Sequence, residues 1–190
     1  MARAAMTLRP AVPSDVDAIL PLWTDVLRRA SAEEQAADLR LLIERAAQHP
    51  DACLLVADFD GAVAGAVFLR ATTVSAINLE PMVQALSPHV HPEFRRRGVG
   101  TALMEAAAAF AEERGIGYVG SAATSHSRDS NRFFARMAMG PRATLRVAPT
   151  HTLRQRLAAM RPARGLTGPG SRQVDKVLAM RRVRRDRLAN

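Results

Sequence analysis

Apolar positions switch between two periods along this chain, and the switches mark its elements. Met6 to Pro10 reads as a short strand. Ser14 then opens a helix, with Asp17 three residues on as a near capping box, and Val16, Ile19, Leu20, Trp23, Val26 and Leu27 recur at helical spacing. Pro21 falls inside that run and predicts a kink. A second helix starts at Ser31 with Glu34 as reciprocal cap, buries Leu39, Leu42, Ile43 and Ala46, and stops by His49-Pro50. Ala52 to Ala57 is a strand-length apolar run, Asp60-Gly61 a tight turn, and Ala62 to Thr73 the returning strand. Met82 to His91 adds a third strand, completing an antiparallel meander.

Beyond His91 the pattern changes. Pro92 to Gly100 is polar and basic, and a helix follows from Val99 to Arg114 with Leu103, Ala106, Ala107, Phe110 and Ala111 as its buried stripe and Gly115 as its stop. Tyr118 to Ala123 reads as a strand, Asp129 to Met139 as a short helix and Ala143 to Val147 as a last strand. The order β-α-α-β-β-β-α-β-α-β predicts a mixed β-sheet flanked by helices, an α/β (α+β layered) fold. The strand-helix-strand unit around residue 100 requires a parallel pair and a right-handed crossover.

Charge divides the chain. Residues 1–150 hold sixteen basic and sixteen acidic side chains, residues 151–190 eleven and two, so the net charge of +9 belongs to the last forty residues. We therefore expect one domain over 1–150 and an Arg-rich C-terminal tail over 151–190. Within the tail, Leu153 to Met160 is helix-compatible, Pro162 to Gly170 is a Pro/Gly-rich break, and Arg172 to Leu188 is again helix-compatible. Such a tail is a solubilising segment or a polyanion contact; without interleaved aromatics it does not read sequence. The single cysteine, Cys53, rules out an intramolecular disulfide and sits in an apolar strand as core filler. Met1 to Leu8 shows no leader pattern and no apolar run approaches the ~20 residues of a membrane span, so a cytoplasmic protein is expected.

The chemistry concentrates in Val90-His-Pro-Glu-Phe-Arg-Arg-Arg-Gly-Val-Gly100, where a strand ends and a helix begins. Free N–H groups and the positive end of a helix dipole meet there, which favours an anion. Gly98 and Gly100 leave room for close backbone approach, and Arg95, Arg96 and Arg97 supply charge for a pyrophosphate. No GxxxxGK[ST] occurs in the chain and this loop carries no GxGxxG, which excludes two common phosphate loops here. His89-x-His91 places two imidazoles two residues apart, but no third ligand accompanies them, so no metal is expected.

Arg95-x-x-Gly98-x-Gly100 resembles the [QR]-x-x-G-x-[GA] acetyl-CoA motif of the GNAT (GCN5-related N-acetyltransferase) superfamily. Val90-His91-Pro92-Glu93-Phe94 is similar to the family's lead-in, and Arg132-Phe133-Phe134-Ala135-Arg136-Met137 to its last helix; the likeness spans about residues 6–149. It implies acetyl-CoA as co-substrate, lying in a splay between the fourth and fifth strands. Contacts would come from Val90, His91, Arg95, Arg96, Arg97, Gly98, Val99, Gly100, Thr101 and Phe134. It further implies an N-acetyltransferase whose acceptor is a small-molecule or protein amine.

The pattern also departs from the family. Phe134 stands where the usual acid is Tyr, Ser127 where many members carry Asn, Ala122 near a Glu used as base in some members, and Ala138-Met139 for a Gly-Phe ending. Replacement proton carriers named by the sequence are Glu80 and His89 as bases, with Ser125, His126 and Ser127, and more distantly Tyr118, on the acid side. The rival readings are a non-catalytic CoA-binding module and a polyanion-binding protein led by its tail.

Overall fold

The computed structural model describes residues 6–122 and 127–160. The chain divides between Gly140 and Pro141 into two compact units. In the first unit, strands β1 (Met6–Pro10), β2 (Ala52–Phe59), β3 (Ala62–Thr73), β4 (Pro81–Val90) and β5 (Val119–Ser121) form one sheet in the order β1-β2-β3-β4-β5. Neighbours are antiparallel except β4 and β5, which are parallel. Asp60 and Gly61, both at positive φ (52° and 85°), turn β2 into β3, and the Asp58 carboxylate accepts from the Gly61 N–H at 2.8 Å.

Helices cover both faces. Helix α1 (Val16–Ile19) and α2 (Ala32–Gln48) bury Val16, Ile19, Ala36, Leu39 and Ile43 against Leu54, Val56 and Ala66. Helix α3 (Val99–Glu112) buries Val99, Leu103 and Ala107 against Ala57, Val67, Leu69 and Ala85 on the other face. Small residues on both partners suit close helix–sheet packing. The Ser31–Glu34 capping box forms as the sequence predicts, Glu34 N–H to Ser31 Oγ at 3.2 Å and Ser31 N–H to Glu34 Oε2 at 2.9 Å. Helix α3 ends in a Schellman turn on Gly115 (φ 65°), with Ile116 N–H on Ala111 O and Gly115 N–H on Glu112 O. Arg114 ties that end down, donating to Phe110 O and Pro50 O.

Helix α4 (Arg128–Arg136) closes the same way on Ala138, whose φ of 59° costs about 1 kcal/mol that a glycine would avoid.

Three expectations change. The first helix begins as a tight turn over Pro13–Asp15 with Val12 at its N-cap, not Ser14 with Asp17: the carboxylate of Asp15, third residue of the turn, accepts from the Val12 N–H at 2.8 Å. A residue already paired elsewhere decides this, since Arg9 grips the buried Asp15 through two bonds of 2.7 and 2.8 Å. At Pro21, which lacks an N–H, α1 gives way to a tighter 3-10 turn over Leu20–Trp23. The alternating stretch Ala143 to Val147 forms no strand; Leu145 and Val147 stand 89% and 84% exposed, because alternation without a partner ladder leaves backbone groups and side chains alike to water. The sheet therefore has five strands among the described residues, not six. In the second unit the expected helix near Leu153 is α5 (Thr150–Ala159). Pro162 to Gly170 and Arg172 to Leu188 lie outside the described residues.

The Arg9–Asp15 pair makes a testable contribution. The guanidinium holds the Asp15 carboxyl below its ordinary range, against the opposing effect of burial, and the Val12 amide assists. A depressed folded value means stability that is complete above the unfolded carboxyl's pKa of about 4 and lost as pH falls through the lower folded value. Asp15→Asn should cost about 1–2 kcal/mol at neutral pH, less than a fully buried pair because Arg9 is partly in water. The gap from wild type should close on acidification; urea midpoints of both proteins above and below that window read it.

Candidate functional site

The candidate site lies where the described β4–β5 pairing ends. β4 and β5 pair only through Val83↔Val119, Gln84↔Gly120 and Ala85↔Ser121. Val83 N–H donates to Tyr118 O at 2.8 Å at one end, and Ser121 Oγ donates to Ala85 O at 2.7 Å at the other. β4 continues from Leu86 to Val90 with no β5 partner. Five residues of strand span roughly 16 Å, so among the described residues a long edge of β4, the opening, has no strand paired to it.

A bulge shapes that free stretch. Ala66 pairs His89 and Phe68 pairs Leu86, so β3 passes one residue while β4 passes two, Ser87 and Pro88. Pro88 has no N–H to give the ladder, and Ser87 takes φ 49°. The displaced Ser87 carbonyl accepts from Trp23 Nε1 at 2.9 Å and lies 3.1 Å from His89 Nδ1. Beyond the bulge, His91 N–H donates to Ala64 O on the β3 side. Successive strand residues alternate, which turns the Val90 amide toward the opening.

The loop after β4 leads directly into α3. A single 3-10 turn, Pro92–Phe94, follows His91, whose Nδ1 sits 3.4 Å from the Glu93 N–H. Arg95 is extended, Arg96 takes φ 61° and Gly98 takes φ 86°, with Arg97 at negative φ between them. Alternating signs of φ are the backbone pattern from which concavities of N–H groups are built. Gly98 caps α3 without any side-chain hydrogen bond, and the first turn carries no acidic residue. The amides of Val99, Gly100 and Thr101 are the first-turn donors that no helical carbonyl reaches. Val99 is buried, Thr101 exposed.

The two glycines differ in their reasons. At Gly98 a Cβ would meet nothing within 4 Å, so the positive φ is what demands glycine. At Gly100 a Cβ would stand 3.2 Å from Phe133 and 3.6 Å from Val90, so that glycine admits the α4 ring against the helix start. The three arginines differ as well. Arg97 lies 5.6 Å from the ring centres of both Phe59 and Phe94, which are 5.5 Å from each other, and so anchors the loop to the end of β2. All three residues are exposed on the loop.

The residues named as proton carriers scatter. Glu80 is exposed at the β3–β4 hairpin, where its N–H binds Asn78 Oδ1, at the far end of β4 from Val90; the structure does not bring it to the opening. Ser127 is the N-cap of α4: its Oγ accepts from Ser130 N–H at 3.3 Å and donates to Ser130 Oγ at 2.8 Å. Ser125 and His126 lie outside the described residues. Phe134 is half-buried on α4, 5.5 Å from Phe133, with no proton to give. His89 is at the opening, its Nε2 3.3 Å from Asp25 Oδ1. His91 points elsewhere, toward Glu93 and Phe94, so the two imidazoles do not converge. Among the described residues no group of three or more His, Cys, Asp or Glu could hold a metal ion, and no helix is long and apolar enough to cross a membrane. Burial raises the Cys53 thiol, with Arg114 opposing, which leaves it a poor nucleophile.

Four residues of the site have no motif to announce them. Trp23 and Asp25 arrive from the connection before α2, and Phe59 from the end of β2. Gly65 on β3 faces Val90; a Cβ there would lie 2.7 Å from His89 O, 3.0 Å from Val99 Cγ1 and 3.3 Å from Leu103 Cδ1. Glycine inside a strand is the signal for such an approach.

Known proteins share this fold. No curated protein matches the sequence. Among solved structures, the aminoglycoside N-acetyltransferase AAC(6')-Iy in complex with CoA is 21% identical over 77% of this chain and 94% of its own, with a TM-score of 0.60. Ribosomal-protein-alanine N-acetyltransferase from Brucella melitensis biovar Abortus 2308 is 21% identical over 76% of this chain and 99% of its own, TM-score 0.59. Glucosamine-6-phosphate N-acetyltransferase from Arabidopsis thaliana is 14% identical over 77% and 99%, TM-score 0.60. These likenesses are of fold. Over residues 17–139 the sequence itself matches the acetyltransferase (GNAT) family, and to that family the chain belongs.

Proposed function

We propose that this protein is an acetyl-CoA-dependent N-acetyltransferase whose acceptor is an amine of a small molecule or a polypeptide. One observation carries the reading: an uncapped helix start, flanked by Arg95 and Arg96 and turned by Gly98, stands beside the opening that begins where β5 leaves β4. An elongated molecule with a diphosphate at one end fits both features at once. Bound there, the coenzyme supplies an activated acetyl thioester. The amides of Val99, Gly100 and Thr101, with Arg95 and Arg96, hold the diphosphate, and Arg97 braces the loop from behind. The Val90 amide, turned toward the opening, donates to the thioester oxygen as negative charge gathers on it. His89 is an ionisable side chain on this stretch of β4 and handles a proton.

The half-buried Phe134 favours a second reading, a module that binds the coenzyme without turnover. Two measurements on the full chain separate the possibilities. Acetyl-CoA at millimolar concentration should raise Tm; no shift sinks both coenzyme readings. Thiol release over a panel of amines should exceed the rate in their absence; a shift without release leaves the binding module.

A further inference from the structure

The transferase reading needs a proton carrier, and most ionisable groups near the opening are unsuited or engaged. The Ser121 hydroxyl is spent on Ala85 O, Ser127 caps a helix, Glu80 is at the wrong end of β4, and His91 faces the turn that follows it. Among the described residues His89 remains, four residues past the last β4–β5 pair and directly after the bulge. Both of its ring nitrogens face acceptors: Nδ1 is 3.1 Å from Ser87 O and Nε2 is 3.3 Å from Asp25 Oδ1.

Asp25 does not sit on a loose loop. Val26 N–H and Leu27 N–H both donate to Trp23 O at 2.9 Å, and Trp23 is itself bonded to the bulge. A little further on, Arg28 Nε meets Asp38 Oδ2 at 2.6 Å and Gln35 Nε2 donates to Arg28 O at 2.8 Å, so the connection is tied to α2. The segment therefore holds a carboxylate in place over an imidazole, and both stay open to an incoming molecule, with side chains 64% and 32% exposed.

We propose that Asp25 and His89 form a proton-handling pair that serves the acetyl transfer; this rests on the transferase reading above. As the nitrogen–carbonyl bond forms and the carbon–sulfur bond breaks, Asp25 takes the proton shed by the amine nitrogen. His89 gives one from Nε2 to the departing sulfur. Transfer from Asp25 to His89 across their contact then restores the pair. The amine loses one proton, the thiol gains one, and no outside reagent is consumed.

The test uses the full chain, acetyl-CoA, and neamine, glucosamine 6-phosphate and an alanine-initiated peptide as acceptors, with water as the acceptor when none is added. His89→Gln should lower kcat for thiol release about 100-fold and Asp25→Asn about tenfold. The double variant should be no worse than His89→Gln alone, since the two act as one unit. KM for acetyl-CoA and the acetyl-CoA-induced rise in Tm should stay at wild-type values, and added imidazole should return part of the rate to His89→Ala. Single variants within twofold of wild type, or a raised KM with kcat unchanged, overturn the pair and leave the transferase reading standing. A wild-type chain that acetyl-CoA stabilises but that releases no thiol to any acceptor overturns both.

Discussion

Gly65→Val should destabilise the protein by at least ~3 kcal/mol and abolish the acetyl-CoA-induced rise in Tm. Its Cβ would fall 2.7 Å from the His89 carbonyl, a backbone atom that cannot rotate aside, and within 3.3 Å of Val99 and Leu103. β3 and β4 would have to separate, or α3 lift from the sheet. Overpacking of this kind usually costs about 1–3 kcal/mol, and here it is met on three sides. The same displacement reaches function, because Val99 begins the helix whose N–H groups face the proposed diphosphate and His89 carries the bulge. Urea denaturation gives the first effect and a thermal shift with acetyl-CoA the second. A variant of wild-type stability would mean that the β3–β4 contact is softer than its geometry indicates.

Charge reversal at Arg95 and Arg96 should be as damaging to binding and nearly silent in stability. Each charge-assisted hydrogen bond to phosphate is worth about 1.5–3 kcal/mol, so Arg95→Glu/Arg96→Glu should weaken acetyl-CoA at least ~100-fold. Both side chains are exposed, so urea midpoints should hardly move. Arg97→Ala should behave in the opposite sense. Its guanidinium rests on Phe59 and Phe94, so its loss loosens the loop and lowers stability, with a smaller effect on binding. Titration calorimetry and denaturation of the two variants side by side distinguish a phosphate ligand from a brace. Equal binding losses from both would put Arg97 on the coenzyme as well.

What the sequence displayed plainly was local. The Ser31–Glu34 box, the Asp60-Gly61 turn, the Gly115 stop and the strand Ala62 to Thr73 each depend on residues within a few positions of one another, and all appear where expected. The basic turn before α3 was legible for the same reason, since its glycines and arginines sit in one short run. Contacts made between distant segments were not. Trp23 reaches Ser87 across 64 positions, and Asp25 meets His89 across as many. Arg97 finds Phe59 only because β2 ends beside the loop. A proline at 88 inside a strand was a usable sign of a bulge, and Gly65 a sign of close approach, though neither names its partner. The stretch at 143–147 shows the converse failure: its alternation is real, but a strand is a property of a pair.

The indole hydrogen bond has a practical use. Trp23 is the protein's sole tryptophan, 3% exposed, and its Nε1 is fastened to the carbonyl that the β4 bulge pushes out. Excited beyond the absorption of Tyr118, intrinsic fluorescence thus comes from one fluorophore wired to the stretch where coenzyme and acceptor are proposed to meet. Ligand-induced adjustment of that carbonyl would register as a change in emission, giving an unlabelled optical readout for screening unknown acceptors by titration and stopped flow.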